Sequence, residues 1–146
     1  MDDLAGLESL LRLRQGFERS ARLELQRVFA EIERHRLELE TIVENRYGVR
    51  AQLAGNLRKG LPAADFALYS VKSFELLEEM TKKRLVKLEE LREQAERKYG
   101  ECRRERKLLE KMMERRRREY RMEAERRAQR ETDDATLRRM RRVKLN

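Results

Sequence analysis

AGNLRKGLPAAD, residues 54–65, is the stretch on which the fold turns, because it holds two of the six glycines and the only proline of the chain. Gly60 suits the left-handed conformation that follows a helix end, and Pro62 suits the first turn of a new helix, where its missing N–H would have no partner anyway. Asp65 is expected in that new first turn, complementing the helix dipole. The stretch therefore reads as a break between two helices.

Working outward, each side carries a narrow apolar stripe. Upstream, alternating steps of four and three pick out Ala21, Leu25, Val28, Ile32, His35, Leu39, Ile42, Arg46, Val49 and Leu53, eight of them apolar. Downstream, a similar count from Phe74 gives Leu77, Thr81, Arg84, Leu88, Leu91, Ala95, Lys98, Cys102, Glu105, Leu109 and Met112, with eight of the twelve apolar or cysteine. Both are heptad stripes. Leu4, Leu7 and Leu11 share the phase of the first, but Arg14 and Glu18 interrupt it and Phe17 sits one residue off. Two long amphipathic helices joined by a short connection make an antiparallel pair the simplest way to cover both stripes.

Composition agrees. Charged residues are 45% of the chain and hydrophobic ones 39%, with 5% aromatics, which leaves too little apolar material for a globular core and matches long helices and coiled coils. Cys102 is the only cysteine and His35 the only histidine, so neither a disulfide within the chain nor a structural zinc site of three or four Cys and His ligands can form. Phe66-Ala67-Leu68-Tyr69 is the longest apolar run, far short of the ~20 residues of a membrane span. The start Met1-Asp2-Asp3 is unlike a signal peptide, and a reducing, cytoplasmic setting is expected.

The net charge of +9 is local. Residues 1–102 hold 19 basic and 19 acidic residues, whereas 103–146 hold 18 basic against 9 acidic. With a turn near residue 60, facing positions sum to about 121, so helix 1 runs out where Arg115-Arg116-Arg117-Arg118 begins. The expected architecture is all-α: one antiparallel two-helix coiled-coil hairpin domain over 1–146 with a longer, overhanging second helix. Its parts are helix 1 over about 4–57, a turn over about 58–63, helix 2 over about 64–130 with a basic overhang from about 118, and a tail or short helix over 131–146. Thr132, Asp133 and Asp134 suit the cap of such a short helix at Ala135–Val143.

Candidate chemistry is sparse. No carboxylate pair, Cys/His or Ser/His constellation marks a catalytic site, so no catalytic residue, metal ligand, cofactor or small-molecule substrate is assigned. Gly55 and Gly60 flank Arg58 and Lys59 without the GxxxxGK[ST] pattern of a phosphate loop. Tyr47, Tyr69, Tyr99 and Tyr120 are too widely spaced to form a stacking platform for bases. Residues 114–130 carry eight arginines and four glutamates and lack the large apolar face of a membrane-inserting helix. Three readings of this run remain: a solvated helix face, a basic coiled coil that binds nucleic acid or tethers other structures, and a plug for an acidic protein partner. The arginines encircle the helix instead of lining one side, which favours the plug over a nucleic-acid duplex.

The chain resembles the FliJ family of flagellar type III export, related to the YscO-type proteins of injectisomes. The residues that carry the resemblance are RLELQRVFAEIERHRLELETI, the glycine-containing break, FALYSVKSFELLEEM and ERKLLEKMMERRRREYRMEAERRAQRETDD. In the last of these Gln129, Arg130, Asp133 and Asp134 occupy the positions of a Gln-Lys-x-x-Asp-Glu-like signature, with Thr132 in place of the usual Leu or Met. The resemblance implies a stalk-like coiled coil, similar to the rotor shaft of rotary ATPases, whose end enters the pore of the hexameric export ATPase. It further implies contacts with the cytoplasmic domain of the export gate and with export chaperones. Its place would be the cytoplasmic face of the export apparatus, touching the membrane only indirectly. On this reading Arg115, Arg116, Arg117, Arg118, Arg121, Arg126 and Arg127 face the ATPase ring. Ile42, Val49, Tyr69 and Leu76 match the family's apolar and aromatic gate positions around the break, whereas Asn45 departs from an aromatic.

Overall fold

The computed structural model describes residues 2–145, except for the side chains of residues 2, 56 and 61–64. It holds two helices, α1 (Asp2–Asn56, 55 residues) and α2 (Leu61–Leu145, 85 residues), and no strand among the described residues. The fold is an all-α helical hairpin with the longer helix second.

The reversal needs four residues. The Leu57 N–H donates to the Leu53 carbonyl at 2.9 Å and the Arg58 N–H to the Gly55 carbonyl at 3.3 Å, tightening the last turn of α1. Gly60 then takes φ 129°, and no other described residue has a positive φ. That conformation is open to glycine because it has no Cβ. Helix α2 starts at Leu61, three residues before the expected 64, so the Pro62 backbone lies in its first turn while the Pro62 side chain is outside the described residues. As a result Asp65 misses the first turn, which carries no acidic residue.

The chain divides into two compact units, Arg19–Glu101 and Met1–Glu18 with Cys102–Asn146. In the first, all ten positions of the upstream stripe are covered: Ala21, Val28, Ile32 and His35 are buried and the other six half-buried. On α2 the buried residues are Ala67, Val71, Glu78, Thr81 and Ala95, with Phe74, Leu85, Leu88, Arg92 and Tyr99 half-buried. This is again a heptad stripe, but only every second residue of it was anticipated. Leu77, Arg84, Leu91 and Lys98 are exposed, and their C-terminal neighbours Glu78, Leu85, Arg92 and Tyr99 hold the seam. Starting the count at Phe74 left open whether three or four residues follow each shared anchor. Ala67 and Val71, buried next to the turn, set four. The small residues Ala67, Thr81 and Ala95 are among the most buried of this stripe.

One flank of this unit is charged, with Arg36 bonded to Glu89 at 3.2 Å and Arg50 to Glu75 at 3.0 Å. Both pairs sum to 125, a little more than the facing sum of about 121. Each Cα–Cβ bond tilts toward its own helix N-terminus, so in an antiparallel pair an α1 side chain meets an α2 side chain further from the turn than the residue its backbone faces. Such exposed pairs contribute about 0–1 kcal/mol each; apolar burial does most of the stabilising.

In the second unit, Leu4, Leu7, Leu11, Arg14 and Glu18 are half-buried on α1, facing half-buried Cys102 and Arg106 and buried Leu109 and Met113 on α2. The two charges that seemed to interrupt the stripe are partnered: Arg14 donates to Glu105, and Glu18 accepts from Arg106, which also donates to Glu110 at 2.9 Å. Phe17 stays outside, with the Arg14 guanidinium 6.0 Å from its ring centre. Here too the neighbour of the anticipated residue is the buried one, since Met113 is 3% exposed and Met112 55%.

Every described residue from Arg121 to Leu145 is exposed, yet α2 runs on to Leu145 without the stop expected near Arg130. No glycine or proline falls after Gly100. Thr132 and Thr136 return their hydroxyls to the carbonyls of Ala128 and Thr132, both at 2.9 Å, and Gln129 donates to Asp133 at 3.1 Å. The residues that suggested a cap are thereby used inside the helix.

Candidate functional site

Two exposed surfaces stand out, one in each unit, and both are helix faces instead of cavities.

The first is the arginine collar. Arg117 reaches Glu8 of α1 at 3.6 Å, the last described ion pair between the helices, and Tyr120 is the last half-buried residue on α2. Arg118 pairs along the helix with Glu114 at 2.9 Å, and Arg127 with Glu123 at 3.5 Å. The Arg121 Nε donates to the Arg117 carbonyl at 3.5 Å. Arg115, Arg116 and Arg126 have no carboxylate partner among the described residues. At about 100° per residue, Arg115 to Arg118 span most of the circumference. The collar is therefore partly compensated and still presents unpaired guanidinium groups, each with its planar fork of donors available to a carboxylate or phosphate.

The second surface is apolar and lies on α2 of the unit Arg19–Glu101. Tyr69 and Leu76 are 71% and 60% exposed, and they are not alone: Phe66, Leu77 and Met80 are also exposed. Phe66, Tyr69, Ser73, Leu76 and Met80 follow one another by threes and fours, so they line a face of their own, separate from the seam through Val71, Phe74 and Glu78. Counting steps of three and four from Phe66 would have found it in the sequence. The other two positions assigned with Tyr69 and Leu76 sit elsewhere. Ile42 and Val49 are half-buried members of the α1 seam, and Ile42 edges a shallow depression with Leu37, Thr41, Arg34 and Glu38.

Within the same seam Arg46 donates to Glu78 at 2.5 Å, and Lys82 pairs with the other Glu78 oxygen at 3.0 Å. The Lys82 hydrogen bond, then the charges of Arg46, Lys82 and Arg50, hold the Glu78 carboxyl below its ordinary value against the opposing effect of burial. Arg92 and Arg106 are pushed above the ordinary arginine value, chiefly by the hydrogen bonds they donate to Glu89 and Glu18 respectively. Each shift favours the ionised form and reflects a paired charge.

The remaining single features have local explanations. Buried His35 keeps its Nδ1 2.9 Å from the Glu31 carbonyl of its own helix. Half-buried Cys102 lies on the seam. No group of three or more His, Cys, Asp or Glu side chains is arranged to hold a metal ion among the described residues, and no helix among them is long and apolar enough to cross a membrane.

Comparison with known proteins identifies one family. Residues 4–145 match the family model described as the flagellar FliJ protein. No curated protein and no solved structure gave a match.

Proposed function

The chain belongs to the flagellar FliJ family and so to the flagellar export apparatus, and on that premise we propose that it is the stalk-like, non-catalytic subunit of the export ATPase. The observation that carries this reading is the collar. Arg115, Arg116, Arg117 and Arg118 surround α2 where its cover by α1 ends, and the neighbouring Arg121, Arg126 and Arg127 continue the charge. Guanidinium groups disposed around a helix complement a ring of carboxylates from all sides, as in the pore of a hexamer, and speed encounter with it. ATP hydrolysis belongs to the ring.

The apolar face through Tyr69 and Leu76 is the contact for the export gate's cytoplasmic domain, with Phe66 and Met80 extending it. Ile42 and Val49, on the α1 seam, would contact the gate apart from that face. Export chaperones released from their cargo are the third class of partner. An exposed apolar stripe on a helix is the form of surface that lies in a groove of another protein.

Replacing Arg115, Arg116, Arg117 and Arg118 by glutamine tests the collar. Helicity stays the same, while binding to the export ATPase hexamer at physiological salt weakens several-fold. Undiminished binding rejects the plug. Binding to duplex DNA that survives physiological salt would point instead to the nucleic-acid reading.

A further inference from the structure

The segment 135–145, ATLRRMRRVKL, is used neither by the seam nor by the collar. It carries Arg138, Arg139, Arg141, Arg142 and Lys144 with no acidic residue, whereas the preceding residues 121–134 mix Arg with Glu and Asp. None of these five cations has a carboxylate partner among the described residues, and the whole segment is helical and exposed. Three of its apolar side chains share one face, whereas Leu145, 87% exposed, falls among the arginines. Leu137, Met140 and Val143 are 53%, 59% and 76% exposed and recur at intervals of three. At about 100° per residue they keep to an arc of about 120° that also holds Thr136, while Arg138, Arg139, Arg141 and Arg142 spread over the remainder together with Leu145. Lys144 falls inside the apolar arc, where a long aliphatic stem can lie along apolar surface with its ammonium at the polar boundary.

We propose that residues 135–145 bind the surface of an anionic phospholipid membrane, lying in the interface with Leu137, Met140 and Val143 among the acyl chains and the four arginines on the lipid phosphates. Clustered cations alone would suit any polyanion. The apolar arc beside them separates the possibilities, because a nucleic-acid backbone gives no return for burying Leu137, Met140 and Val143, and a bilayer does. Three helical turns are too short to insert stably by apolar contact alone, so attachment depends on lipid charge and is reversible. The collar at Arg115–Arg118 lies 17 residues earlier on the same helix, about 26 Å at 1.5 Å per residue, which leaves both surfaces free to act together.

The test is co-sedimentation of the full chain with vesicles of phosphatidylcholine, and with vesicles of equal parts phosphatidylcholine and phosphatidylglycerol. Binding is expected to the mixed vesicles and not to phosphatidylcholine. Leu137→Ser with Met140→Ser and Val143→Ser, which keeps every charge, weakens it about tenfold, as does changing Arg138, Arg139, Arg141 and Arg142 to glutamine. The collar variant with glutamine at 115–118 still binds. Circular dichroism shows unchanged helicity in each, since the altered side chains touch nothing in the fold. The proposal is overturned if mixed vesicles are not bound, if the serine variant binds them as well as the parent, or if the collar variant loses binding to the same degree as the terminal arginine variant. It is also overturned if duplex DNA at the same salt is bound more tightly than the vesicles.

Discussion

Arg46 and Glu78 meet at 2.5 Å inside the hairpin seam, at positions where a two-helix core normally places apolar residues. Arg46 is half-buried and Glu78 is 7% exposed, so the pair forms at the expense of solvation and stands only because each charge has its counterpart. Lys82 completes the Glu78 carboxylate from the solvent side.

The first prediction concerns acid. Glu78 is held below its ordinary value of 4.5 in the folded protein. Its contribution to stability is therefore fully present above the unfolded value and is lost as pH falls through the folded one. Thermal melts of Glu78→Gln should show a lower Tm at neutral pH and a shallower decline on acidification than the parent. Parallel declines would mean that other carboxylates carry the effect.

The neighbouring methionines provide a test of phase. Met113→Ala should destabilise by about 2–3 kcal/mol through loss of a buried side chain, and Met112→Ala by less than about 0.5 kcal/mol. Urea unfolding separates them. Equal effects would contradict the seam through Leu109 and Met113.

At the turn, Gly60 holds φ 129°, which no L side chain adopts without strain, although nothing lies within 4 Å of the Cβ that a substitution would add. Gly60→Ala should destabilise by about 1–2 kcal/mol from backbone strain alone. Gly55, inside α1 and equally unobstructed, should instead gain about 0.5–1 kcal/mol as alanine. The same melts read both, and a stabilising Gly60→Ala would rule out the positive φ.

On the apolar face, Tyr69→Ala with Leu76→Ala removes two exposed side chains that contribute nothing to the seam. The Tm should move little, while binding to the gate's cytoplasmic domain falls at least tenfold, as for loss of a central apolar contact. A fall in Tm without a fall in binding would return these residues to a structural role.

Helix, break and helix were all legible in AGNLRKGLPAAD and the stripes around it, because glycine and proline act locally and an apolar period needs no partner to be seen. The charge imbalance and the arginine run were legible for the same reason, whereas Tyr69 and Leu76 were singled out only through the family resemblance. Which of two adjacent residues enters the seam was not. Leu77 and Leu91 outrank Glu78 and Arg92 by hydrophobicity, yet they lie outside, because the phase of α2 follows the burial of Ala67 and Val71 and the charges that α1 presents. Arg14 and Glu18 likewise read as interruptions until Glu105 and Arg106 stood opposite them. The sequence by itself determined that two long amphipathic helices form and where the chain reverses, since propensity, period and turn chemistry are properties of neighbouring residues. Tertiary structure alone decided the phase of the seam and which charges could be covered, since whether burial is favourable depends on the group opposite.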